Sequence, residues 1–313
     1  MFTSLYTLFT TQNPSLVYLK WILLLGLLLV FIVYYKKTNR QLYTTEAFSQ
    51  DKPFVLKRDQ DTYDPFYAEV YDGINETEKR GQYELKTLIK ATQPSNDNSV
   101  FLDIGSGTGY LVNELHEAGY QAYGIDQSQA MIDYSKENYP ETETKCGNVM
   151  DPMSFDNSTF SHILCTYFTI YHMENKSQFF QNCHRWLRPN GYLFLHLVDK
   201  SQFDTIMPAG KPTFLRSPQK YAEKRITETT VEFEDLTYTS SYQFGETDRV
   251  TLKETFTDHT TTNVRQNERT LYMESLSAIL EMGNQAGFIL HSKADMTPAN
   301  GDKHQYLYIL ERV

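Results

Sequence analysis

Cysteine is scarce in this chain of 313 residues: there are three, Cys146, Cys165 and Cys183. An odd number, placed in stretches that read as buried α/β core, favours reduced thiols in a reducing compartment over a disulfide framework. Metal-ligand spacing is missing too. The eight histidines are scattered, and neither C-x-x-C nor H-E-x-x-H occurs. Basic residues are outnumbered, 29 Lys and Arg against 39 Asp and Glu, for a net charge of −10. That balance suits poorly a surface that must hold a phosphate backbone, so nucleic acid is disfavoured as a substrate. There are no internal repeats and no low-complexity tracts. The length accommodates one large domain or two small ones.

One long apolar run stands out. Residues 16–35, LVYLKWILLLGLLLVFIVYY, are apolar except for Lys20 near the outer end. About twenty helical residues cross a bilayer, and Trp21, Tyr34 and Tyr35 fall where interfacial aromatics belong. A cleaved signal peptide would need a basic start and a small-residue cleavage site, and the run has neither. Residues 1–15 carry no charged side chain, whereas Lys36, Lys37 and Arg40 follow the run. The positive-inside rule then leaves 1–15 outside and the remainder in the cytosol. Residues 36–60, polar and mixed in charge, read as a tether, and 61–313 as the soluble domain.

The stretch SVFLDIGSGTGYLVNELHEAGYQAYGIDQS, residues 99–128, carries the chemistry. Its apolar run, residues 100–104, suits a buried parallel strand. Leu111, Val112, Leu115 and Ala118 then recur on one helical face, Gly119 ends that helix, and a second strand closes at Asp126. This is a βαβ unit with glycines at its first crossover, where the backbone must bend sharply and let a ligand approach. An acid at the end of the second strand can accept both hydroxyls of a ribose. The glycine spacing is G-x-G-x-G rather than the dinucleotide G-x-G-x-x-G, and Asp103 precedes it. A carboxylate there repels a pyrophosphate and suits a ligand carrying an ammonium and a sulfonium.

The spelling D-x-G-x-G-x-G over residues 103–109 resembles motif I of the class I S-adenosylmethionine-dependent methyltransferases. The resemblance extends over about residues 61–200. It implies a Rossmann-like doubly wound α/β fold with a seven-stranded sheet and S-adenosyl-L-methionine as cofactor. Asp103 and the turn Gly105, Ser106, Gly107 and Gly109 would hold its methionine part, with Cys165 and Thr166 beside it. Asp126, followed by Gln127, would take the ribose; Met131, Asn148 and Val149 would border the adenine. Asn148 departs from the family's usual Asp, keeping an acceptor oxygen without its charge, and Ser161 stands where an Asp is common. Tyr171 and His172 would face the acceptor, with His172 a candidate general base; a packing or capping histidine is the alternative. The aromatic segment DTYDPFYAEVYDGI, residues 61–74, is similar to the helix that family members fold over the pocket, and it offers Tyr63 and Tyr67 as further candidates. The closing L-x-P-x-G at residues 187–191 resembles the family's last signature.

Residues 205–268 change character. Alternation in TVEFEDLTYTSSYQF and RVTLKETFTD reads as an inserted antiparallel ribbon, a lid and specificity element or a dimerisation surface. The expected activity is methyl transfer to a small-molecule or lipid-like acceptor by a membrane-anchored enzyme whose catalytic domain is cytosolic. Two alternatives remain: a protein methyltransferase at the membrane, and a cofactor-binding module without turnover.

Overall fold

The computed structural model describes residues 13–38, 50, 52–211 and 217–313. Residues 1–12 and 39–49, with Arg40, most of the expected N-terminus and part of the expected tether, lie outside the described residues. The apolar run forms one helix, Pro14–Thr38, and none of its stretch Leu16–Val33 is buried.

The central sheet has seven strands in the order β11-β12-β6-β5-β2-β3-β4. These are β2 (Val100–Ile104), β3 (Gln121–Asp126), β4 (Glu143–Cys146), β5 (Phe160–Cys165), β6 (Leu187–Val198), β11 (Phe288–Asp295) and β12 (Gln305–Arg312). The pairs β2–β3, β2–β5, β3–β4 and β5–β6 are parallel, whereas β12 is antiparallel to both neighbours. β2 sits mid-sheet and every one of its residues is buried, as an apolar run covered on both faces should be. The helix after it, Tyr110–Glu117, buries Leu111, Val112 and Leu115. It stops one residue short of Ala118, which is exposed, and Gly119 adopts φ +84° as expected. Ser128 caps the helix Gln129–Asn138, accepting from the Met131 amide at 3.1 Å, a bond that satisfies an otherwise orphaned donor.

The insertion is a second sheet of five strands, β1-β10-β9-β8-β7. Its hairpins are β7 (Glu228–Glu232), β8 (Leu236–Phe244), β9 (Arg249–Asp258) and β10 (Val264–Tyr272), so the strands run four residues past the expected boundary. The fifth strand corrects the tether. Residues Phe54–Arg58 form β1, parallel to β10 from Phe54↔Val264 to Arg58↔Glu268. Five half-exposed residues at a sheet edge carry little local signal, and the partner is more than two hundred residues away. The sheet packs onto the helix Pro65–Asn75 through Phe66 and Phe256, whose rings meet edge-on at 5.2 Å. Lid and central sheet thereby share one core.

Candidate functional site

The glycine turn is tied to β3 before it meets any ligand. The amides of Gly105 and Ser106 both donate to the Ile125 carbonyl, at 2.8 and 3.1 Å. The Gly107 amide donates to Asp126 Oδ2 at 3.0 Å, and the Ser128 amide to Asp126 Oδ1 at 2.8 Å. Burial raises the Asp126 pKa while these backbone donors oppose the rise. Each carboxylate oxygen retains acceptor capacity beyond its single amide, enough for two vicinal hydroxyls. Gly107 has φ +52°, and a Cβ built there would meet only the Gly105 carbonyl oxygen, 4.0 Å away. The turn therefore leaves open space where a ligand could approach its backbone.

That space is a cavity of about 330 Å³ at the C-terminal ends of the parallel strands, where open α/β sheets bind ligands. Ile125, Met131, Val149 and Met150 give it an apolar wall, and Gly105, Gly107, Asp126 and Gln127 a polar one. Below it, Asp103 is buried with Oδ1 lacking a hydrogen-bond partner. Burial pushes this carboxyl well up, Glu84 and Asp126 add to the rise, and Arg80 opposes it.

A polar network reaches the other side of the cavity from the lid. The Tyr63 phenol oxygen lies 3.2 Å from His172 Nε2 and accepts from Arg269 Nη1 at 3.0 Å. Arg269 also donates to Glu254 Oε2 at 2.5 Å, and Glu254 Oε1 accepts from Tyr67 at 3.2 Å and Tyr238 at 2.7 Å. The lid and the central fold both grip the backbone around Tyr63 as well. Arg265 donates to the Thr62 carbonyl at 3.0 Å and to Asp64 at 2.7 Å, and Ser128 Oγ donates to the Tyr63 carbonyl at 2.6 Å. The His172 ring opens to the cavity yet is recessed among protein atoms. That desolvation, with the cations of Arg269 and Lys176, pushes its pKa down to about 3. It is a neutral imidazole at physiological pH and a weak base. Desolvation raises the Tyr63 phenol pKa against the pull of Arg269, so the phenol keeps its proton.

Residues 102–195 match the family described as "Methyltransferase domain". The chain carries a class I S-adenosylmethionine-dependent methyltransferase domain. It is 28% identical over 160 residues to the phosphoethanolamine N-methyltransferase of Plasmodium falciparum, covering 48% of this chain and 58% of that protein. The chain thus spans less than two thirds of that relative's length. Among solved structures, the methyltransferase CcbJ from Streptomyces caelestis superposes with a TM-score of 0.62 at 16% identity, over 82% of this chain and 99% of that one. CalS10, an amino pentose methyltransferase from Micromonospora echinaspora solved with S-adenosylmethionine bound, gives a TM-score of 0.54 at 16% identity, over 78% of this chain and 97% of that one. At these identities the superpositions establish the fold.

Of the residues expected at the methyltransferase site, Gly105, Gly107, Asp126, Gln127, Met131, Val149 and His172 line the cavity. Others do not. Gly109, at φ +83°, lets the following helix pass close to its neighbour, since a Cβ there would lie 2.0 Å from Ser135 Oγ. Ser106 is buried, against Gly124. The Asn148 side-chain oxygen, expected at the adenine, already accepts from the Met150 amide at 2.9 Å in a local turn. Cys165 and Thr166 are buried at the end of β5, and burial raises the Cys165 thiol well up. Ser161 bridges strands, taking the Val100 amide at 2.8 Å.

Two acceptor-side expectations are corrected. Tyr171 is fully buried and its hydroxyl accepts from the Val198 amide at 2.8 Å, so it anchors β6 rather than facing an acceptor. Tyr67 is buried beneath Tyr63, edge-on at 5.5 Å, with its hydroxyl committed to Glu254. Tyr63 and Tyr71 line the cavity instead, together with Tyr167 and Thr169, which the sequence reading missed. Tyr167 and its neighbour Phe168 adopt φ +41° and +61°, and no local residue pattern announces such a turn for aromatic side chains.

Proposed function

We propose that this chain transfers the methyl group of S-adenosylmethionine to the nitrogen of a small amine acceptor. The observation that carries the cofactor part is Asp126, which braces the glycine turn with one amide bond per oxygen and borders an apolar slot sized for a nucleoside. The open backbone at Gly107 and the orphaned Asp103 Oδ1 fit the same ligand. S-adenosylmethionine, when bound, supplies a methyl already activated by its sulfonium. What the chain must then do is orient an acceptor and exclude water. His172 and Tyr63 present a neutral imidazole and a phenol to the cavity. A strong base is missing from that pair, which suits a nitrogen nucleophile that arrives uncharged. The Arg269 cation behind Tyr63 favours the neutral form of an amine held there. The relatives named above include an N-methyltransferase and an amino pentose methyltransferase, which supports the same class of acceptor.

The apolar helix Pro14–Thr38 serves, in this reading, as a single transmembrane anchor, with the enzyme domain on the cytosolic side. Its exposed apolar surface over Leu16–Val33 supports insertion.

Incubation with methyl-labelled cofactor and cell extract, followed by separation of lipids, metabolites and proteins, tests the activity. Label in an amine metabolite or amine-bearing lipid supports the reading. Label confined to proteins would replace it with protein methylation, and cofactor binding without transfer to any fraction would leave a binding module.

A further inference from the structure

A second and larger cavity, about 1260 Å³, adjoins the first, and Tyr167 lines both. It opens between the lid and the loops that follow β6 and precede β12. A nucleoside joined to an amino acid takes up most of a 330 Å³ cavity, so an acceptor needs room elsewhere. Tyr167 is a partition under constraint. Its backbone and that of Phe168 are left-handed, a conformation that costs free energy and gathers at functional sites. Its hydroxyl donates to Asn75 Oδ1 at 2.7 Å, and the Arg80 guanidinium stacks 3.8 Å above its ring.

The charge around this cavity runs against that of the chain. Six basic side chains line it against three acidic ones, in a protein of net charge −10. Both aspartates are engaged within the protein, as is Arg225, which donates to the Lys200 and Phe203 carbonyls. Asp302 Oδ2 accepts from the Asp204 amide at 2.6 Å and from Gln305 at 2.9 Å, and Asp204 faces Lys211 at 3.1 Å. Arg80 is only 7% exposed, yet its Nε and Nη1 have no hydrogen-bond partner; the nearest carboxylate, Glu84, stands at 3.6 Å. A buried guanidinium with unused donors is costly unless something accepts from it. Lys79 and Lys303 are exposed on the same lining.

We propose that this second cavity is the acceptor chamber and that it takes a small molecule bearing an anionic group, phosphate or carboxylate, whose nucleophilic end passes Tyr167 toward Tyr63 and His172 in the first cavity. The proposal rests on the methyltransferase reading for the direction in which the acceptor points. The anion site itself stands independently of it.

The test uses the protein saturated with S-adenosylhomocysteine at low ionic strength, titrated with inorganic phosphate and, separately, with acetate. Saturable binding of either anion is expected, with amide shifts at Tyr167 and His304 on the cavity lining. The surface variant Lys79→Glu/Lys303→Glu should weaken it about tenfold through charge repulsion, and raising the salt concentration should weaken it further. The stronger of the two anions assigns the acceptor's charged group. Absence of saturable binding for both, or equal binding by the folded variant, overturns the proposal. Cofactor affinity measured on the same samples separates the two readings. Intact cofactor binding with no anion response sinks the anion site alone, whereas no cofactor binding sinks the methyltransferase reading and leaves the anion titration to be judged by itself.

Discussion

The Tyr63 phenol oxygen stands 3.2 Å from His172 Nε2, joining the segment in front of the fold to the loop after β5. Arg269 donates to that oxygen from behind, which leaves the phenol proton free to turn toward the imidazole. With its pKa pushed down to about 3, His172 orients the acceptor rather than deprotonating it, so His172→Ala should slow turnover by up to about 10²-fold while cofactor affinity holds. Tyr63→Phe should reproduce part of that loss. Steady-state kinetics beside calorimetry decide it, and equal rates would assign both side chains to packing.

Asp126→Ala should weaken cofactor binding by about 1.5–3 kcal/mol, the range for hydrogen bonds to a charged group. Titration calorimetry measures this directly. Unchanged affinity removes Asp126 from the cofactor site.

Two glycines of one motif should fail differently. Gly107 faces open space, so Gly107→Val should leave a folded protein, strained at φ +52°, that no longer binds the cofactor. Gly109 presses on Ser135, so Gly109→Val should lower the thermal midpoint sharply. A Gly107→Val protein that folds and binds normally would contradict the cradle.

The Arg269–Glu254 pair is buried on both sides. Removing one member strands the other, at a cost of about 3–5 kcal/mol. Arg269→Met should therefore destabilise strongly, and adding Glu254→Gln should recover part of the loss. Denaturant unfolding of the two single variants and the double variant gives the coupling; additive losses would mean the pair acts separately.

Burial lowers the pKa of His162 to about 4 from an ordinary 6.5. Below pH 6.5 the unfolded chain binds a proton at this site that the folded chain refuses. The stability contributed by neutral His162 is therefore complete above pH 6.5 and is lost as the pH falls toward 4. Urea midpoints measured across that window should drop with acidity, less steeply in His162→Gln. Parallel curves for the two proteins would show that other groups set the slope.

What the sequence by itself determined is local. Strand, glycine turn and helix at residues 100–117 follow from neighbours a few positions apart, as do the acid closing β3 and the Ser128 cap. The apolar helix needs only its own composition. The tertiary structure decided what meets across the chain. β1 pairs with a strand beyond the whole central fold, and Tyr63 meets a histidine 109 residues away. The lid chose between two tyrosines four residues apart, drawing Tyr67 down to a buried Glu254 and leaving Tyr63 at the cavity. A spacing of four suggests one helical face, but Tyr63 precedes the helix Pro65–Asn75, and partners distant in sequence set which tyrosine sees the ligand.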